Sequence, residues 1–255
     1  MNGVASYIYK TAVVFIVLAG VCAGGYFVFI RRGDDLVEGL PSSSAVHYYK
    51  NSTLSLSKIR IKAVYFVPND KGGDIFSQWQ SALPQTLEDI VRFHKVIFKD
   101  LSQVSFDIYP QPIIGREDSS FYDTETTGRG NPAALRNVYR ELEARLLTYG
   151  GDLFDESFVG SASGEYIVYC VLYEGVGASA SENVIFLSSS YLTNERYQES
   201  GATIFYHEFA HTLGIPDHYD EQDGKSSSLD IMGFGLVRPL AFNYLDEEIL
   251  EEMGL

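Results

Sequence analysis

The amino-acid sequence predicts an α+β domain preceded by an N-terminal transmembrane helix, and three observations predict it. Strand-like and helical stretches alternate from residue 57 onward, a histidine-rich helical pattern comes late, and residues 11–30 form an uninterrupted apolar run. At 255 residues the chain can bury one principal domain. With 45% hydrophobic and 21% charged residues, disorder is excluded as a description of the bulk.

The first element is "TAVVFIVLAGVCAGGYFVFI", Thr11 to Ile30, flanked by Lys10 and by Arg31 and Arg32. As a helix it is long enough to cross roughly 30 Å of hydrocarbon. "VCA", ending at Ala23, loosely fits a signal-peptide cleavage site, but the apolar run continues to Ile30, which favours a retained anchor. Residues 1–32 are therefore expected to hold the membrane, with the following domain outside the cytoplasm; the flanking charges are nearly balanced for orientation. Residues 33–56 show no sustained period and contain Pro-Ser-Ser-Ser, so they read as a flexible linker. Asn51-Ser52-Thr53 is a glycosylation sequon by pattern.

The domain is expected over residues 57–255. In "KIRIKAVYFVP", Ile59, Ile61, Ala63, Tyr65 and Val67 alternate as a strand requires, until Pro68 ends it. A helical stretch follows from about Asp74 to Lys99, with Pro84 marking a break or a second start. "VSFDIYP" is the next strand. "NPAALRNVYRELEARLLTYGG" is a helix with Asn131 as cap, Pro132 in its first turn and Gly150 as stop. "EYIVYCVLYEG" and "NVIFLSS" are strands, and the histidine helix begins near Ser200. A polar loop covers Asp217 to Leu229, and "LDEEILEEMGL" closes the chain as an amphipathic helix with Leu245, Ile249 and Met253 inward.

The formal charge is −15, and all 34 acidic residues lie beyond residue 32. Such a domain repels phosphate backbones, which excludes nucleic acid as a partner class. The two cysteines, Cys22 and Cys170, allow neither a disulfide framework in the domain nor a cysteine-rich metal site.

Three of the five histidines stand in "YHEFAHTLGIPDHYD". His207 and His211, four apart, project from one helix face within reach of a single ion, with Glu208 about 100° round. Ala202, Phe205, Phe209 and Leu213 form an apolar stripe on the opposite side. Zinc accepts neutral imidazole nitrogens, and a catalytic zinc needs three protein ligands and an open fourth position. Gly214 permits the left-handed backbone that ends a helix, and Pro216 cannot continue one, so Asp217 is carried back towards the ion. His218, one residue out of register, is the second choice. His47 and His94 have no partners by spacing.

"HEFAHTLGIPD" resembles the extended zinc motif of metzincin-type metallopeptidases, and its aspartate version resembles that of snapalysin and the immune inhibitor A family. Met232, in "DIMGFG", looks like the methionine turn beneath the zinc, although Phe234 stands where some metzincins have tyrosine. The resemblance covers Thr203 to Gly235. It implies an α/β-like catalytic domain with a mixed twisted sheet, Zn2+ held by His207, His211 and Asp217, and Glu208 as the general base that activates a zinc-bound water. It further implies a peptide or protein substrate, lying along an edge strand in "GVGASASENVIFLSSSYL".

Two alternatives are weighed. In a thermolysin-like site the third ligand comes from a later helix, as Glu247 or Glu248. In a catalytically inactive binding module on the same fold, Glu208 has no task, and its presence argues against that module.

Overall fold

A computed structural model of the chain describes residues 46–73, 75–122, 132–146, 164–175, 177–218 and 228–255. The expected membrane helix at Thr11–Ile30, Asn131 as cap, Gly150 as stop and most of the polar loop lie outside the described residues. Among the described residues no helix is long and apolar enough to cross a membrane.

Eight strands and five α-helices are described. They are β1 (His47–Tyr48), β2 (Asn51–Ser55), β3 (Lys58–Val67), α1 (Trp79–Ile97), β4 (Gln103–Ile108), β5 (Ile113–Ile114), α2 (Pro132–Leu146), β6 (Tyr166–Tyr173), β7 (Ala178–Ser181), β8 (Val184–Ser188), α3 (Ser190–Thr193), α4 (Gly201–Thr212) and α5 (Glu247–Glu252). The main sheet has the order β4-β3-β6-β8-β7, with β5 pairing the far end of β3. It is mixed: β3, β4, β5, β6 and β8 are parallel neighbours, and β7 alone runs antiparallel, at the edge.

Strand periodicity explains the layers. Ile59, Ile61, Ala63, Tyr65 and Val67 of β3 join Val168, Cys170 and Leu172 of β6 and Ile185 and Leu187 of β8 in one core, with α1 and α4. The intervening Val64, Phe66, Tyr169, Val171, Val184 and Phe186 form a second core with Leu135, Val138 and Leu142 of α2. Helices thus cover both faces, as parallel strands require, and the architecture is a mixed α/β one rather than a segregated α+β one.

Two expectations are corrected. Pro84 neither breaks nor starts α1, which runs from Trp79 to Ile97 with Pro84 inside it. Pro84 falls in the second turn, so its missing N–H forfeits a bond to the carbonyl of Gln80, an exposed residue. Residues 46–56, expected as the end of a linker, form the β1–β2 hairpin, with Tyr48 opposite Asn51 and Val46 and Leu56 fully buried. These two strands are too short to establish a sequence period, and the two apolar anchors flanking them hold the hairpin to the core. The compact unit runs from Ser44 to Leu255.

His94, without a partner by sequence spacing, is fully buried in α1. Ser102 Oγ donates to the Leu56 carbonyl at 2.5 Å and accepts from His94 Nε2–H at 2.8 Å; His94 Nδ1 then accepts from the Tyr206 hydroxyl at 3.0 Å. Burial lowers the His94 pKa to about 3. Because the unfolded chain takes up this proton near the ordinary value of 6.5 and the folded chain does not, stability falls as pH drops from about 6.5 towards 3. His94→Leu leaves two buried hydroxyls short of a partner and is expected to cost about 2–4 kcal/mol. It should also flatten that pH slope, as read by denaturant unfolding at pH 7 and pH 5.

Candidate metal centre

Helix α4 is buried on more sides than the apolar stripe alone indicates: His207 is 3% exposed and Glu208 8%. Phe205, Phe209 and Leu213 anchor it in the core, and Thr203 Oγ1 donates to the Arg238 carbonyl. The helix ends through Gly214, whose φ of +87° suits glycine alone at low cost. The Gly214 N–H donates to the His211 carbonyl and the Ile215 N–H to that of Ala210, so the chain turns back beside the helix. Pro216 then leads to Asp217.

This path brings together His207, His211 and Asp217. The two Nε2 atoms are 3.1 Å apart, and Asp217 Oδ1 is 3.2 Å from each. His207 Nδ1–H is oriented to the Ile231 carbonyl at 3.0 Å and His211 Nδ1–H to the Ile215 carbonyl at 2.8 Å. Those two hydrogen bonds assign the tautomer, leaving a lone pair on each Nε2. The close approaches are therefore lone pair against lone pair, and Asp217 Oδ1 is buried without a hydrogen-bond donor. Such an arrangement needs a positive charge at its centre, either a proton or a metal ion. Bonds of 2.0–2.1 Å at tetrahedral angles put ligand atoms about 3.3 Å apart, close to the spacing found. Two imidazoles and a carboxylate thus form a group able to hold a divalent metal ion.

The electrostatics fit. Burial pushes the Asp217 carboxyl up, but wherever His207 and His211 carry a proton on Nε2 they outweigh it and hold the group far below the usual carboxylate range. Burial pulls His211 down, and the Asp217 carboxylate with the Ile215 carbonyl more than reverses it, so its pKa is raised. Glu208 behaves oppositely: burial, helped by the charge of Asp217, raises its carboxyl above the ordinary value, against the opposing pull of His207, His211 and the Ala180 N–H.

Met232 is fully buried in the core, and its neighbours supply the contacts that count. The Ile231 carbonyl orients His207, while the Met232 carbonyl accepts the His218 N–H at 2.8 Å. His218 Nδ1 lies 3.0 Å from Oδ2 of the fully buried Asp230, without the alignment of a hydrogen bond. His218 is outside the converging group, as adjacent extended residues facing opposite sides require. His218→Ala should leave metal stoichiometry unchanged, yet cost about 1–3 kcal/mol by removing the nearest polar partner of the buried Asp230 carboxyl. Thermal melts paired with metal analysis check both. Glu247 and Glu248 are exposed in the first turn of α5 and do not join the group. Phe234 is 49% exposed.

Sequence reasoning missed Asp230, the Ile231 and Ile215 carbonyls and the Ala180 N–H. Backbone groups carry no residue-type signal. Asp230 stands two residues before Met232, in the stretch already singled out, but nothing in spacing links it to His218.

No family profile matches the chain, and no curated protein matches it in sequence. Among solved structures it is similar to OgpA from Akkermansia muciniphila, a catalytically inactive form in complex with an O-glycopeptide (glycodrosocin) substrate. The two share 14% identity over 79% of this chain, with a TM-score of 0.46. The chain spans 63% of that protein's length.

Proposed function

We propose that the chain is a zinc-dependent endopeptidase. One observation carries the reading: three acceptor atoms converge at zinc-ligand spacing, one of them a buried carboxylate oxygen with no donor, beside a buried glutamate. His207, His211 and Asp217 are the ligands in this reading. A bound zinc would supply Lewis acidity towards a peptide carbonyl and make water a nucleophile near neutral pH.

The remaining work falls to the chain's own residues. Glu208 takes the proton of the attacking water and passes it to the leaving amine, a task suited to a carboxyl whose pKa is raised towards neutrality. The Ala180 N–H faces its carboxylate and favours the ionised form. The Ile231 and Ile215 carbonyls keep both imidazoles in the tautomer that presents Nε2.

Strand β7 is the last strand of the main sheet. The Ser188 N–H donates to the Gly177 carbonyl, so antiparallel alternation turns the backbone groups of Ala178 and Ala180 outward. An extended substrate adds there as a further strand, against the Ala178 backbone and the Ala180 carbonyl. Anchoring through Thr11–Ile30, with the domain outside the cytoplasm, belongs to the same proposal and rests on the apolar run.

The test is cleavage of a peptide mixture by the purified full chain, read by mass spectrometry. New termini are expected that vanish with a chelator and return with zinc. Absence of cleavage in zinc-replete protein, or cleavage indifferent to chelation, would overturn the reading.

A further inference from the structure

We propose that the N-terminal hairpin is part of the scaffold of the metal centre, with Tyr48 as a positioning residue for Asp217; this rests on the ligand assignment above. The hairpin reaches helix α4 on both sides of its histidines. On the near side, Leu56, just beyond β2, offers its carbonyl to Ser102, which links through His94 to the hydroxyl of Tyr206, the residue before His207. On the far side, the Tyr49 N–H donates to the Leu213 carbonyl at 3.1 Å, satisfying an acceptor that the end of a helix otherwise leaves to solvent.

The closest approach falls on the turn that delivers Asp217. A methyl group added at Gly214 would lie 2.3 Å from Tyr48 Cε1 and 2.6 Å from Cζ, so the tyrosine ring is packed directly on the glycine. Tyr166 backs this ring edge-on, with centroids 6.3 Å apart, and donates its own hydroxyl to the Thr212 carbonyl at 2.6 Å. Residues 213 and 214 are thus held by the hairpin and residue 212 by Tyr166 of β6, between His211 and Asp217. The hairpin itself is fixed by buried Val46 and Leu56 and by the His47 N–H on the Met253 carbonyl at 3.0 Å.

A turn with a left-handed glycine has several ways to continue, and only one brings a carboxylate within 3.2 Å of both imidazoles. The ring of Tyr48 closes the side of Gly214 on which a side chain would stand, and so narrows the paths the turn can take. Its contact is made by the ring carbons, so phenylalanine should serve as well as tyrosine.

The experiment is a double-mutant cycle in the full chain, with zinc affinity measured by direct titration. Tyr48→Ala is expected to weaken zinc 10–100-fold, as loss of a group supporting a ligand does, and Tyr48→Phe to stay within about twofold of the parent. In an Asp217→Ala background, Tyr48→Ala should cost no further affinity, because the group it positions is gone. A general loosening of the domain would weaken zinc equally in both backgrounds, and that result overturns the inference. So does unchanged affinity in Tyr48→Ala while Asp217→Ala is impaired. If Asp217→Ala itself leaves affinity unchanged, the ligand assignment fails and the inference falls with it.

Discussion

Glu208→Gln is expected to keep zinc, fold and peptide binding while lowering kcat by about 10²–10⁴-fold, the contribution of a positioned general base. Glutamine retains the shape of the side chain, which is 8% exposed and lies beside the converging His207, His211 and Asp217, but it cannot take a proton from water. The same substitution carries a second, opposite signature. Burial raises the Glu208 pKa above 4.5 in the metal-free fold, so between 4.5 and that raised value the folded chain holds a proton that the unfolded chain has released. Stability therefore falls as pH rises through this window and stays reduced above it. The glutamine amide carries no charge to bury. Metal-free Glu208→Gln should melt at a higher temperature than the parent at pH 7.5, with the difference vanishing below pH 4.5. A residue that gains activity at the expense of stability behaves this way, whereas a structural carboxylate would not. Full activity in the glutamine variant would remove Glu208 from the chemistry.

Asp217→Ala is expected to lower zinc affinity by about 10²–10³-fold, so that metal no longer survives dialysis against a mild chelator. Two helix-borne imidazoles remain, but a stable zinc site needs at least three protein ligands. The aspartate is also the only anionic ligand of the three, and its carboxylate is held ionised far below neutral pH. Activity should fall with occupancy and return in part at high zinc, which separates loss of the metal from loss of the base. Metal content after dialysis, compared with His218→Ala, discriminates the two neighbours: stoichiometric zinc in the histidine variant and little in the aspartate variant.

Much of the fold was legible because strand period and helix punctuation are local. The alternation of Ile59 to Val67 put those residues on one face, and that face packs against α1 and α4. The second buried face of β3, carrying Val64 and Phe66, is a consequence of parallel neighbours, which a one-face period does not reveal. Residues 46–56 carry no strand signal in the sequence because two strands of two and five residues are defined by pairing and by Val46 and Leu56, not by a pattern within themselves. At the candidate site, the spacing of His207, His211, Gly214 and Asp217 was enough to foresee which side chains converge. Their supports were not foreseeable: the carbonyls of Ile231 and Ile215, the N–H of Ala180 and the ring of Tyr48 act through backbone position or through contacts far along the chain.

The central claim is that His207, His211 and Asp217 hold one zinc ion beside Glu208. Anomalous scattering measured from crystals on either side of the zinc absorption edge tests it most directly. A single strong anomalous peak is expected about 2.0–2.2 Å from His207 Nε2, His211 Nε2 and an Asp217 carboxylate oxygen, with a fourth position open towards Glu208. A peak bonded to His218 with Asp217 turned away, or no peak among these residues in protein grown with zinc, would contradict it.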